Sequence, residues 1–200
     1  MTTAVAQARK FFRRHGGILR AGEAIAAGIH PRTLYSMRDT GEVQSLSRGV
    51  YRLANMPPLA DPDLSVVAMR APRAVVCLVS ALAFHGLTTQ VPHEIHIAID
   101  RSARPPAITQ PPVRVYRFTG AAFSSGVDEQ QIDHVSVRIY NAEKTLADCF
   151  KFRNRIGLDV VLEALRAYRG RRKRDFEKIL EYARVCRVER MMRPYLEASV

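Results

Sequence analysis

Residues 30–54, HPRTLYSMRDTGEVQSLSRGVYRLA, compress a helix-length segment, a glycine stop, two short alternating runs and a second glycine turn into one stretch. His30 can stand at an N-cap and Pro31 at the first helical position, where its missing N–H costs nothing. Leu34 and Met37, three residues apart, face inward, and Gly41 ends the helix. EVQSL and GVYRL then flank SRG, the pattern of a two-stranded hairpin with Gly at its turn. Few folds have room for a short helix followed at once by so tight a hairpin.

The residues upstream narrow the choice. TTAVAQARKFFRRHGG places Val5, Ala8, Phe11 and Phe12 on one helical face and ends at Gly16 and Gly17. LRAGEAIAAG reads as a second short helix with Ile25 inward and Gly28 as its terminator. Three helices and a hairpin make a winged helix-turn-helix. With Leu34 and Met37 buried, Arg32, Ser36 and Asp39 point outward, and Thr33 and Tyr35 lie on the flanks. An outward Arg at the start of a recognition helix can reach guanine O6 and N7. Arg48, at the wing tip, can enter a minor groove or meet a phosphate.

Charge supports a polyanionic partner. Residues 1–56 hold nine Lys/Arg against three Asp/Glu, a balance of +6, and the whole chain carries +12. Double-stranded DNA is the expected partner, with a purely protein-interacting winged helix as the alternative. Cys77, Cys149 and Cys186 are odd in number and far apart, which argues for a reducing compartment and against a disulfide framework. The basic N-terminus lacks a signal-peptide core, and the most apolar run, AVVCLVSALAF (74–84), is too short to span a bilayer. A cytoplasmic, nucleoid-associated protein without a membrane partner is expected.

NMPPLADPD (55–63) is Pro-rich and marks the expected join between domains 1–56 and 57–200. Beyond it come a helix near 63–71, a short helix SALAFHGL, and strands at 94–100, 113–118 and 134–140. Asn141 can cap AEKTLADCFKFR with Leu146, Cys149 and Phe150 inward. Three more amphipathic helices follow, marked by Leu158 to Tyr168, Phe176 to Ala183 and Val188 to Tyr195. The expected class is α+β: a winged helix-turn-helix, then a mixed α/β domain with a helical tail.

Catalytic patterns are missing from the sequence. There is no Gly-rich phosphate loop, no G-x-S-x-G elbow, and neither the Gly-Ser pair nor the Asp-x-Asp that a nucleotidyltransferase would use. His93 and His96, three apart on a strand, point to opposite faces and do not readily chelate one ion. Asp133 with AEK (142–144) has the wrong spacing for a nuclease, and Lys144 with Asp148 reads as an intrahelical pair. No enzyme, cofactor or metal is expected. YRGRRKRD (168–175) makes Arg171, Arg172, Lys173 and Arg174 candidates for contacts to phosphate or an acidic partner. Residues 166–193 there hold eleven Lys/Arg against four Asp/Glu, a balance of +7.

GILRAGEAIAAGIHPRTLYSMRDTGEVQSLSRGVYRL resembles the winged-helix domain of the AbiEi antitoxin family. SALAFHGLTTQVPHEIHIAI and VRIYNAEKTLADCFKFRNRIGLDVVLEALRAY resemble that family's C-terminal domain. The resemblance implies an antitoxin of a type IV toxin–antitoxin, phage-defence operon. Such proteins bind inverted repeats in their own promoter and repress it. They also counter a nucleotidyltransferase-like toxin, with direct binding between the two not implied. Carried over by position, the DNA-reading residues are Arg32, Thr33, Tyr35, Ser36 and Arg48. The alternatives are a nuclease targeted by the winged helix and a transcription factor unconnected with a toxin.

Overall fold

The computed structural model describes residues 3–197, so Thr2, at the head of the first expected helix, lies outside them. They divide into two compact units. One comprises the chain up to Pro72 together with Gln131–Val137, and the other comprises Arg73–Gln130 and Arg138 onward.

The first unit opens with α1 (Thr3–Arg14), β1 (Ile18–Arg20), α2 (Ala21–Ala26), α3 (Pro31–Asp39), β2 (Val43–Ser47) and β3 (Val50–Leu53). The strands form an antiparallel sheet in the order β1-β3-β2. Ala8 and Phe12 of α1, Ala24 of α2, Leu34 and Met37 of α3, and Val43, Tyr51 and Leu53 of the wing share one core. This is a winged helix. His30 caps α3 through Nδ1, which accepts the Arg32 N–H at 3.1 Å, and Pro31 occupies the first turn. The wing turns at Arg48–Gly49, where Gly49 takes φ +77°. Such a left-handed angle is one that glycine adopts freely.

The first unit departs from expectation at two points. Ile25 is 44% exposed, and Ala24 takes the inward place because α2 is a single short stretch whose buried stripe is one residue wide. Strand β1 was not expected, since three residues show no alternation and its partner lies thirty residues away.

The wing has a second buried face. Tyr51 and Leu53 point into the helical core, so Val50 and Arg52 alternate to the other side, yet all four are buried. Helix α4 (Pro62–Arg70) packs on β2 and β3. Asp61 caps α4 by accepting the Leu64 N–H at 2.9 Å. The Arg52 guanidinium donates to the Pro57 carbonyl, and Arg70 donates to the Arg48 carbonyl at 2.8 Å. Residues 131–137 complete the unit as a hairpin tip, turning at Asp133 and His134, both at positive φ. Asp133 accepts the Ala60 and Asp61 N–H groups at 2.8 and 3.1 Å and the Ser65 hydroxyl at 3.1 Å. Burial pushes its carboxyl up, but these three donors hold it below the usual carboxylate value. At Gly16, φ +71°, an added Cβ would stand 2.3 Å from the His134 Cβ, so the tip seats where only glycine fits. The compact unit therefore extends past the join expected at residue 56. The Pro-rich connector and α4 serve to cover a wing face that would otherwise be wet.

The second unit builds on a five-stranded sheet in the order β6-β5-β4-β8-β7. Its strands are β4 (Val75–Val76), β5 (Ile95–Asp100), β6 (Val113–Phe118), β7 (Val127–Ile132) and β8 (Val135–Tyr140), of which the ends of β7 and β8 within residues 131–137 belong to the first unit. β4 runs antiparallel to β5 and parallel to β8, while β5 and β6 are parallel. Around it lie α5 (Leu78–Phe84), α6 (Ala121–Ser124), α7 (Ala142–Lys151), α8 (Arg153–Ile156), α9 (Leu158–Arg169), α10 (Phe176–Val185) and α11 (Glu189–Glu197). Asn141 caps α7, accepting the Lys144 N–H at 2.9 Å. Tyr140, Leu146, Phe150, Val161, Tyr168, Ile179 and Met192 anchor one apolar core. The fold is α+β with a helical tail. β7, VDEQQI, escapes a sequence reading because it is a polar edge strand. Among the described residues no helix is long and apolar enough to cross a membrane.

Candidate nucleic-acid interface

Helix α3 is amphipathic in a way that fixes its outer face. Burial of Leu34 and Met37 leaves Arg32, Tyr35, Ser36, Arg38 and Asp39 exposed and Thr33 half-buried. Arg32 lies in the first turn, where base-edge contacts of recognition helices concentrate. Asp39, an acid on this exposed face, is matched by its neighbour: Arg38 Nη2 and Nε donate to its Oδ1 at 2.8 and 2.9 Å. That bond raises the Arg38 pKa further, so the guanidinium is permanently charged. The same guanidinium sits 5.3 Å from the centre of the Tyr35 ring. Arg38 is thereby pre-aimed on the exposed face, a further polar group that the carried-over set of five omits. The signal for it was present, since Tyr35 and Arg38 are one helical turn apart.

Arg48 is exposed at the wing turn, as expected. Arg52 belongs to the structure: it is 8% exposed and tied to the connector. Of the four arginines that recur through residues 30–54, three remain at the surface.

Residues 7–54, spanning most of α1 through β3, match the family model described as "Transcriptional regulator, AbiEi antitoxin". That stretch of the first unit is therefore similar to an AbiEi-type regulator domain. No curated protein matches the chain. Its fold is similar to the crystal structure of the RV2827C protein from Mycobacterium tuberculosis, with a TM-score of 0.56 at 15% identity, over 98% of this chain and 82% of that one.

Outside the AbiEi-type domain, the C-terminal basic run divides in two. Arg171 is half-buried, donates to the His85 carbonyl and lies 6.0 Å from the Tyr168 ring, so it fastens the loop. Arg174 donates to the Arg169 carbonyl at 2.6 Å while staying exposed, as do Arg172 and Lys173. The surface charge is therefore three residues, presented between α9 and α10.

The groups that invited a catalytic reading have structural work. Lys144 and Asp148 have side chains with zero exposure, and Nζ stands 2.5 Å from Oδ2. Cys186 Sγ donates to Asp148 Oδ1 at 3.1 Å, and Nζ lies 4.1 Å from the centre of the Tyr140 ring. Burial pushes the Asp148 carboxyl up, against the pull of Lys144 and Cys186, and burial likewise raises the Cys186 thiol to about 12. Asp133 spends both oxygens on the connector and α4. His93 is exposed and His96 buried, and among the described residues no cluster of His, Cys, Asp or Glu could hold a metal ion. His85, at the end of α5, hydrogen-bonds the Tyr140 carbonyl at 2.7 Å. Burial lowers its pKa, so the ring is a neutral cross-link between α5 and the end of β8.

Proposed function

We propose that the chain is a transcriptional regulator and antitoxin whose AbiEi-type domain binds inverted repeats in its own promoter and represses the operon. In this reading the second unit counters a nucleotidyltransferase-like toxin, and neither unit performs catalysis. The observation that carries the proposal is the α3 face: Arg32, Thr33, Tyr35, Ser36 and the pre-aimed Arg38 share one helix, followed by a basic wing ending in Arg48. Phosphate contacts would give affinity and the α3 side chains would give sequence.

Arg32→Ala and Ser36→Ala are expected to relax operator preference by about 1–3 kcal/mol, whereas Arg48→Ala weakens all duplexes alike. Anisotropy titrations on operator and scrambled duplexes measure both. Equal loss on the two duplexes in Arg32→Ala would remove base reading from α3. The antitoxin half is tested separately, by whether the full chain rescues growth of cells expressing a neighbouring nucleotidyltransferase-like gene.

The exposed basic trio belongs to the same proposal as a second phosphate-binding group. Replacing Arg172, Lys173 and Arg174 by Ala should flatten the log–log salt dependence of operator binding, by about 0.9 for each phosphate no longer neutralised. Operator preference should survive. An unchanged slope would take the trio off the DNA.

A further inference from the structure

A cleft of about 600 Å³ opens in the second unit, between the loop before β5, the start of β6 and the end of α8. Val79, Val91, Pro112 and Ile156 give it apolar walls. Its chemistry comes from Glu94, His96, Arg114 and Arg155. Arg155 is exposed, and its guanidinium lies 5.8 Å from the Phe152 ring. Arg114 donates Nε–H to Glu94 Oε1 at 2.7 Å, which fixes the guanidinium while the side chain stays 54% exposed.

His96 is the anomaly. It is 6% exposed, and its Nδ1 is buried without a hydrogen-bond partner. The hydroxyl of Tyr116, whose ring centre is 5.2 Å from that of His96, is buried as well, with the Arg114 side chain beside it. Folded proteins satisfy nearly all buried polar atoms, so the orphan Nδ1, on a residue lining the cleft, asks for a partner. Burial lowers the His96 pKa and keeps the ring neutral. Its Nε2 faces the Glu94 carboxylate at 3.7 Å, a charge that favours the ring proton on that side, and in that tautomer Nδ1 is an acceptor.

We propose that this cleft binds a small organic anion, a phosphate monoester or carboxylate held by Arg114 and Arg155, whose adjacent hydroxyl donates to His96 Nδ1. Two arginines within apolar walls suit an anion on a short carbon stem, and the volume falls in the range of small-molecule sites. Glu94 disfavours a bare polyanion by facing it with a like charge.

The test is calorimetric titration of the full chain with glycerol 3-phosphate, glycolate, acetate, inorganic phosphate and an Asp/Glu-rich peptide. Saturable binding of glycerol 3-phosphate or glycolate, tighter than that of inorganic phosphate or acetate respectively, is the expected result. Arg155→Gln should weaken it by roughly 10- to 100-fold, the loss of one charge-assisted hydrogen bond. Arg155 is exposed, so this variant leaves folding intact. His96→Phe should abolish the preference for the hydroxylated anion, and if it fails to fold, Arg155→Gln decides alone. No saturable binding of any small anion, binding unchanged in Arg155→Gln, or binding of the acidic peptide alone would each overturn the proposal.

Discussion

Replacing Lys144 by Met is expected to destabilise the full chain by about 3–5 kcal/mol, because it strands a carboxylate in a dry core. Asp148 has no exposed surface, and among the described residues its hydrogen-bonding side-chain partners are Lys144 and the Cys186 thiol. The double variant with Asp148→Leu should recover most of the loss, since a buried ion pair replaced by apolar groups of similar size is often neutral. Urea midpoints of the single and double variants measure this. The sign of the pH dependence adds a second check. Burial already raises the Asp148 carboxyl above its unfolded value, and removal of Lys144 raises it further. A folded state with the higher pKa takes up a proton first, so the deficit should be largest near neutrality and shrink on acidification. A deficit below about 1 kcal/mol would mean that the pair is reached by water.

A fragment of residues 1–56 is expected not to fold cooperatively, although it contains every element of the winged helix. Val50 is fully buried and Arg52 nearly so, on the wing face covered by α4. Removing that cover exposes side chains worth about 1.5–3 kcal/mol each and leaves the Arg52 charge without its carbonyl. A domain of this size holds only about 3–5 kcal/mol from its core, so the loss is decisive. Thermal melts by circular dichroism compare it with the full chain. Asp133→Ala in the full chain should show a milder version, because it releases three hydrogen-bond donors in the connector and α4. A sharp melt of the fragment at the full-chain midpoint would show that connector, α4 and tip add nothing.

What the sequence discloses is whatever is encoded within one helical turn or one hairpin. His30, Pro31, Leu34 and Met37 define α3 by capping and period, and Asn141 does the same for α7. Those signals are local, so they survive without tertiary context. The hairpin tip is the opposite case. Nothing near Asp133 announces that it will accept N–H groups from Ala60 and Asp61, more than seventy residues earlier. On α3 and the wing, the exposure of Arg32, Ser36 and Arg48 was legible because outward position follows from the buried partners. Arg38 was passed over although Asp39 and Tyr35, the groups that aim its guanidinium, lie within one helical turn of it. Lys144 and Asp148 read correctly as a pair, but helical spacing alone carries no information about depth.

The borrowed tip also sets a clock on synthesis. Everything in the first unit up to Pro72 leaves the ribosome well before residues 131–137 exist. At typical translation rates the roughly 65 intervening residues take about 3–13 s. Through that interval the nascent winged helix has an unfilled seat at Gly16 and a connector lacking its Asp133 acceptor. A message broken or frameshifted before codon 131 would therefore yield no stable winged-helix fragment, and the first unit would exist only in chains translated past residue 137.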